Sequence, residues 1–387
     1  GLADRHEVSL LSFLESEQST SEILGGPLSV LCPDVSLVPA PHRSRWKRLG
    51  QLLATSAPDM AHRLASEDFA ARLSVLLRGQ DESSAPVEIV QVEGLELAHY
   101  MQTIRQHLPS ARIVFDNHNA ETELQWRSLL ADLKEPGRWP VALYSWLQVA
   151  RLRRYERWAC READAVVAVS GADRRHLVDL DATLDPTVIP NAIDTVQIQR
   201  ELHEEAPATI PDQMLFVGKM DYRPNVDAAL WFGRRIWPQI KERRPKASWL
   251  LVGQRPHRRL DPLRRLDGVH ITGRVESVGP YLKQAQVMVM PFRVGSGTRL
   301  KLVQALAARL PVVSTTVGAE GYPVETGRHL LLADDPDRFA EAVITLLEDS
   351  TLRERMGMAG AQLAARYDWR RVVPQFDRVY REVVAKT

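Results

Sequence analysis

Cysteine is nearly absent from this chain. Cys32 and Cys160 are the only two in 387 residues, and they lie far apart, in no Cys-x-x-Cys or Cys/His cluster. Neither a disulfide framework nor a structural zinc site is expected, and a reducing cytosol is the natural compartment. Long apolar runs are missing too: none approaches the roughly 20 residues that cross a bilayer, and Gly1-Leu-Ala-Asp-Arg-His-Glu7 has no signal-peptide pattern. With 50 basic and 49 acidic side chains the formal charge is +1, which argues against nucleic acid as the main partner. No Ser/His/Asp order, His-Glu-x-x-His, Walker loop or Gly-x-Gly-x-x-Gly stands out. Asp179-Leu-Asp181 imitates a metal-binding Asp-x-Asp, but it sits in a polar stretch with no strand end to hold it, so no metal is assigned.

What is present is a βα rhythm long enough for two cores. Strands are expected at His6–Phe13, Val35–Val38, Val87–Val92, Arg112–Phe115 and Ala165–Val169, with helical stretches between them. The pattern resumes after residues 187–194 with Met214–Val217, Ser248–Val252, Val269–Ile271, Val287–Met290 and Val312–Ser314. The fold class is therefore α/β, with one doubly wound parallel sheet following another. Residues 201–211 are polar and proline-punctuated, and the hinge is placed near Asn191 to Pro211. The division expected is an amino-terminal domain 1–194, a carboxyl-terminal domain 195–369 and a last helix 370–387.

Pro291-Phe-Arg-Val-Gly-Ser-Gly-Thr-Arg-Leu-Lys301 joins an apolar strand to a helix through a glycine turn. Gly295 and Gly297 free the backbone so that N–H groups can turn toward an anion. Thr298 is the expected N-cap. Leu300, Val303, Ala307 and Leu310 mark a buried stripe, which sets Lys301 and Gln304 together on another face. The helix end, Arg293 and Lys301 are expected to converge on a phosphate or pyrophosphate.

These residues resemble the donor domain of GT-B glycosyltransferases of the GT4-like family (glycosyl transferases group 1), and the likeness extends over nearly the whole chain. It is strongest from Gln213 to Trp369. Phe216-Val-Gly-Lys-Met-Asp-Tyr-Arg-Pro-Asn-Val-Asp-Ala228 is similar to the family's first strand-loop-helix, and Ile271-Thr-Gly-Arg-Val-Glu276 to the loop that receives the nucleotide base. The resemblance implies two Rossmann-like domains facing each other across a cleft, and a retaining, metal-independent transfer of sugar to a hydroxyl on a glycan or lipid-linked acceptor. The nucleoside diphosphate sugar is the co-substrate, and no cofactor is expected. The donor residues it implies are Gly218, Lys219, Arg274, Arg293, Ser296, Gly297, Thr298, Lys301 and Gln304. His118, just past a strand end and expected to face the cleft, resembles the family's cleft histidine. A satisfied loop histidine is the plainer alternative. Asn119 is placed on the acceptor side with Glu93, which reads either as an acceptor ligand or as a surface or helix-capping glutamate.

The chain also departs from that family. Two glutamates eight apart flank the family's helix start, and Ser296 and Gln304 stand in their places here. Gln304 keeps a neutral acceptor for the ribose, weaker on the order of 1 kcal/mol per bond. Arg309 replaces a usual glycine at the helix end. The family's first βα unit has no counterpart before Leu2, as expected of a fragment or, alternatively, of a protein that has lost part of its acceptor-side wall, and the fragment is the expectation favoured. The departures keep a degenerate, nucleotide-sugar-binding scaffold open as the alternative. An epimerase or hydrolase would need further cleft carboxylates, which the sequence does not display. Finally, His42-Arg-Ser-Arg-Trp-Lys-Arg48 and the helix carrying Trp139, Trp146, Arg151, Arg153, Arg154, Arg157 and Trp158 mix bases with large aromatics. Such faces can meet the inner membrane peripherally, but tryptophans packed in the core, with solvated arginines opposite, are the ordinary expectation.

Overall fold

The computed structural model describes residues 1–15, 19–32, 34–78, 87–133, 137, 139–203, 208–295 and 297–385. The chain divides into two compact units, Gly1–Ile189 with Val373–Thr387, and Pro190–Val372. The first change of unit falls at Ile189, ahead of the 194 boundary drawn from sequence. The second falls inside the last helix, Trp369–Ala385.

In the first unit β1 (Ser9–Leu14) and β2 (Asp34–Pro39) pair in parallel, in register from Ser9 with Asp34 to Leu14 with Pro39. Strands β3 (Ile89–Glu93), β4 (Arg112–Asn117), β5 (Ala165–Ala168) and β6 (Thr187–Val188) form a separate four-stranded parallel sheet in that order. The single sheet expected for this half is thus two sheets. β1 is only half-buried, whereas β4 is buried from Ile113 to Asn117, as a central parallel strand must be. One core still serves both: Phe13 packs with Val38, Phe69, Val92 and Phe115, and the Phe13 and Phe69 rings stack 4.3 Å apart. The Trp369–Ala385 helix contributes Val379 and Val383 to burial. Its Asp377 accepts from Arg5 and from His6 Nε2, the latter at 2.8 Å, and Tyr380 donates to Gln91.

The second unit holds six parallel strands, β7 (Gln213–Val217), β8 (Ser248–Val252), β9 (Val269–Ile271), β10 (Val287–Met290), β11 (Val312–Ser314) and β12 (Leu331–Leu332). Their order across the sheet is β12-β11-β10-β7-β8-β9. β12 escaped the sequence reading because it is two residues long. The order reverses between β7 and β10, and doubly wound sheets open their ligand crevice at that point, beyond the strands' carboxyl ends. Phe216, Phe232, Trp249 and Phe339 are fully buried about the sheet, with the Phe232 and Trp249 rings 4.5 Å apart. The two ends of this unit lie side by side. Ile193 pairs with Asp368, its N–H donating to Tyr367 O at 2.9 Å while Trp369 N–H donates back at 3.0 Å.

Candidate functional site

Gly218 follows β7, and the Pro291–Lys301 segment follows β10, so the two loops flank the switch point. Lys301, on the helix Leu300–Ala307, donates from Nζ to Asn225 Oδ1 at 3.3 Å. Asn225, on the helix Arg223–Trp231, is held in turn by donating to Lys219 O at 2.8 Å. A Cβ on Gly218 would stand 2.9 Å from Lys301 Nζ and 2.7 Å from Asn225 Nδ2. Glycine lets the ammonium lie against the backbone, and any side chain there would push Lys301 and Asn225 aside. Phe292 sits between two cations, with Lys301 Nζ 5.4 Å and Arg299 Cζ 4.7 Å from its ring centroid. Burial, aided by the Arg299 charge, pulls the Lys301 pKa down to about 8. A desolvated ammonium with a neutral amide for its partner favours an incoming anion.

Arg299 was not foreseen. It occupies the N-cap position in an extended conformation, so the helix begins one residue later than expected. Its guanidinium is buried and donates to Val317 O at 2.6 Å. Thr298 is therefore not the cap, and its Oγ1 instead accepts from Asn191 Nδ2 at 2.9 Å. The buried stripe shifts accordingly. Leu300 is 37% exposed, and Leu302, Val303, Leu306 and Leu310 face the core. Gly295 and Gly297 have φ of 141° and 72°, a region that favours glycine. Arg293 does not join Lys301. It forms a two-pronged pair with Asp227, at 2.6 and 3.1 Å, and its guanidinium lies over Trp231. Lys219, Arg274 and Gln304 are exposed, and Ser296 lies outside the described residues.

In the first unit the ends of β3 and β4 bring Glu93 and His118 together, with His118 Nε2 at 2.6 Å from Glu93 Oε2. Gln91 Nε2 donates to the other Glu93 oxygen at 2.5 Å. Glu93 is thus an exposed carboxylate bonded to His118 and Gln91, and His118 is a loop histidine whose ring is held by that carboxylate. The bond to Glu93, with the charge of Asp116, raises the His118 pKa against a desolvation that lowers it. Asp116 is buried, and one of its carboxylate oxygens has no hydrogen-bond partner among the described residues. Burial and then the neighbouring Glu93 push its pKa up to about 7. Asn119 donates to Glu121 at 3.3 Å, and burial with the charges of Glu96 and Glu156 raises Glu121 to about 7. Glu156 lies beneath, accepting from Asn117 at 3.0 Å and from the Glu121 and Thr122 amides at 2.9 and 3.1 Å. Carboxylates that the sequence reading did not find therefore gather here. Their one signal was Asp116, an acid inside an apolar strand. Glu93, Asp116 and His118 also offer ligand atoms within 4.8 Å of one another, a spacing that could accommodate a cation where none was expected. Both Glu93 oxygens are already bonded, and a proton on the imidazole balances the same charge.

The sequence pattern described as Glycosyltransferase Family 4 matches residues 1–197, slightly more than half of the chain. The chain belongs to glycosyltransferase family 4. A second pattern, described as Glycosyl transferases group 1, matches residues 211–349 of this family 4 chain. A phosphatidyl-myo-inositol mannosyltransferase from Mycobacterium tuberculosis is 30% identical over 230 residues, covering 56% of this chain and 59% of that protein. A glycogen synthase from the same species is 27% identical over 237 residues, covering 58% and 56%. The chain thus spans rather more than half the length of the curated relatives it matches. Among solved structures, sucrose-phosphate synthase from Thermosynechococcus elongatus superposes with a TM-score of 0.70 at 17% identity, covering 100% of this chain and 91% of that one. Anabaena HepE, solved with UDP and glucose, gives 0.60 at 14% identity, covering 95% and 98%. At these identities the likeness is one of fold, and the fold is GT-B. Among the described residues no helix is long and apolar enough to cross a membrane.

Proposed function

We propose that this family 4 chain moves a sugar from a nucleoside diphosphate donor to a hydroxyl of a glycan or lipid-linked acceptor, with retention and without a divalent ion. One observation carries the reading: at the switch point of the second sheet, Lys301 presents a desolvated ammonium against Gly218 and, among the described residues, bonds to Asn225. As the anomeric bond breaks, negative charge grows on the β-phosphate. Lys301 would stabilise it, with the nearby Arg299 charge, the amides about Gly297 and the exposed Lys219 adding to the field. Arg274 and Gln304 are assigned to the base and the ribose, and Arg293 to supporting the loop through Asp227. Retention rests on the family resemblance.

On the acceptor side, His118 held by Glu93 would receive and orient the attacking hydroxyl. The carboxyl groups of Asp116 and Glu121, with Asn119, suit a hydroxyl-rich ring better than a phosphate. The mannosyl transfer in the name of one relative, and the UDP and glucose held by the Anabaena protein, are consistent with this class of donor.

The test is a melting panel of nucleotide sugars on the intact chain and on Lys301→Ala. One donor should raise the melting temperature by several degrees, and the alanine variant should lose that shift. No shift with any donor, or an equal shift in the variant, overturns the donor site. Gln304, a neutral group where the family has a glutamate, favours a second reading as a binding protein without turnover. Product formed from the stabilising donor decides between the two.

A further inference from the structure

We propose that the helices Glu121–Leu133 and Trp139–Glu162, with the basic helix Arg45–Ala54, form a docking surface for an anionic phospholipid bilayer. The tryptophans that composition assigned to the core are outside it. Trp46 is 83% exposed, Trp139 60%, Leu143 67% and Trp146 61%. Of the tryptophans in those two runs only Trp158 is half-buried, stacked on Tyr155. Trp139, Leu143 and Trp146 follow one another at the spacing of a single helical stripe, and the exposed Arg153 and Arg154 continue it. Trp126, Leu130 and Leu133 repeat the spacing on the neighbouring helix and are exposed as well. The two helices pack against each other, and each keeps an exposed apolar stripe of its own. Asp59 ties in the third helix: its N–H donates to Gln148 at 2.9 Å, and its carboxylate accepts from Arg43 and Arg48.

Charge selects the occupant. From Trp139 to Arg154 there are three arginines and no acid, and Arg45–Ala54 likewise carries three bases and no acid, while on Glu121–Leu133 the acids are turned away from solvent, Glu123 pairing with Arg127 and Asp132 being buried. An exposed apolar patch of this size calls for a cover. A second copy of the chain would set these bases against their own kind. An anionic membrane meets both requirements, taking the indole rings at headgroup depth and the bases at its surface. The inference rests on exposure and charge alone, independently of the donor site.

The full chain should float with vesicles of phosphatidylcholine containing about 30% phosphatidylglycerol at least tenfold better than with phosphatidylcholine alone, and less so at high salt. Leu143→Ser with Trp146→Ser should cut flotation by about tenfold, and Arg153→Glu with Arg154→Glu should abolish its dependence on lipid charge. Trp46→Ser with Lys47→Glu, on a separate helix, should weaken flotation without touching the hairpin. The proposal fails if the parent chain stays with the soluble fraction, or if the variants float equally. It fails too if the parent is a dimer in solution that the Leu143→Ser/Trp146→Ser variant converts to monomer.

Discussion

Among the described residues Lys301 is a cation held by one neutral amide, close against the backbone at Gly218. With its pKa lowered to about 8, the free protein loses the charge as pH climbs past that value. The affinity for a nucleoside diphosphate sugar should therefore fall about tenfold between pH 7 and pH 9, measured by calorimetry, and an arginine at this position should flatten the profile. Asp116 works in the opposite sense. Its carboxyl keeps a proton up to about pH 7 in the native chain, while in the unfolded chain it ionises near its ordinary value of 3.8. Between those values the native state binds more protons, so stability falls as pH rises from about 4 to 7 and levels off above. The difference between the parent and Asp116→Asn in urea midpoints should trace that slope, on the order of 2–4 kcal/mol across the window.

The helix Leu300–Ala307 ends in a turn with a local conflict. Arg309 has φ of 56°, its N–H donates to Leu306 O at 3.0 Å, and Leu310 N–H reaches back to Ala305 O at 2.9 Å. This pair of bonds is a Schellman motif, whose left-handed residue is normally glycine. Arginine there costs about 1–2 kcal/mol of backbone strain, partly offset by the freedom glycine would lose on folding. Arg309→Gly should raise the melting temperature by about 2 °C, a net gain below about 1 kcal/mol, seen by calorimetry. Elements of this kind also show what a reader of the sequence could see. The β-branched runs β7, β8, β10 and β11 were legible because a buried parallel strand is apolar at every position. The glycine turn after β10 was legible for its composition. Hidden were contacts made at a distance in sequence: Asp227 capturing Arg293, Asn225 meeting Lys301, and Arg299 turning inward over Phe292. The start of the helix slipped by one residue because Thr298 found Asn191 as a partner. Tryptophan positions misled for a related reason, since hydrophobicity alone does not say which side of a helix has a neighbour.

Across the whole molecule, the groups assigned to the donor lie in Pro190–Val372 and those assigned to the acceptor in the other unit. Whichever nucleoside diphosphate stabilises the chain should slow amide exchange in residues 216–225 and 291–304, and leave the β3 and β4 ends, at residues 93 and 117–119, unchanged. Protection appearing first at the β3 and β4 ends would reverse the assignment of the two units. The pairing of Ile193 with Asp368 has a separate consequence. The second unit leaves the first and returns to it through neighbouring strands of backbone, as an inserted cassette does. Its two cut points are close enough for a short linker to join them. Exchange of this cassette between related chains therefore needs two junctions, at residues 189/190 and 372/373, and a chimera spliced at the first alone would give its host a foreign last helix, replacing the Asp377 and Tyr380 that clasp Arg5, His6 and Gln91.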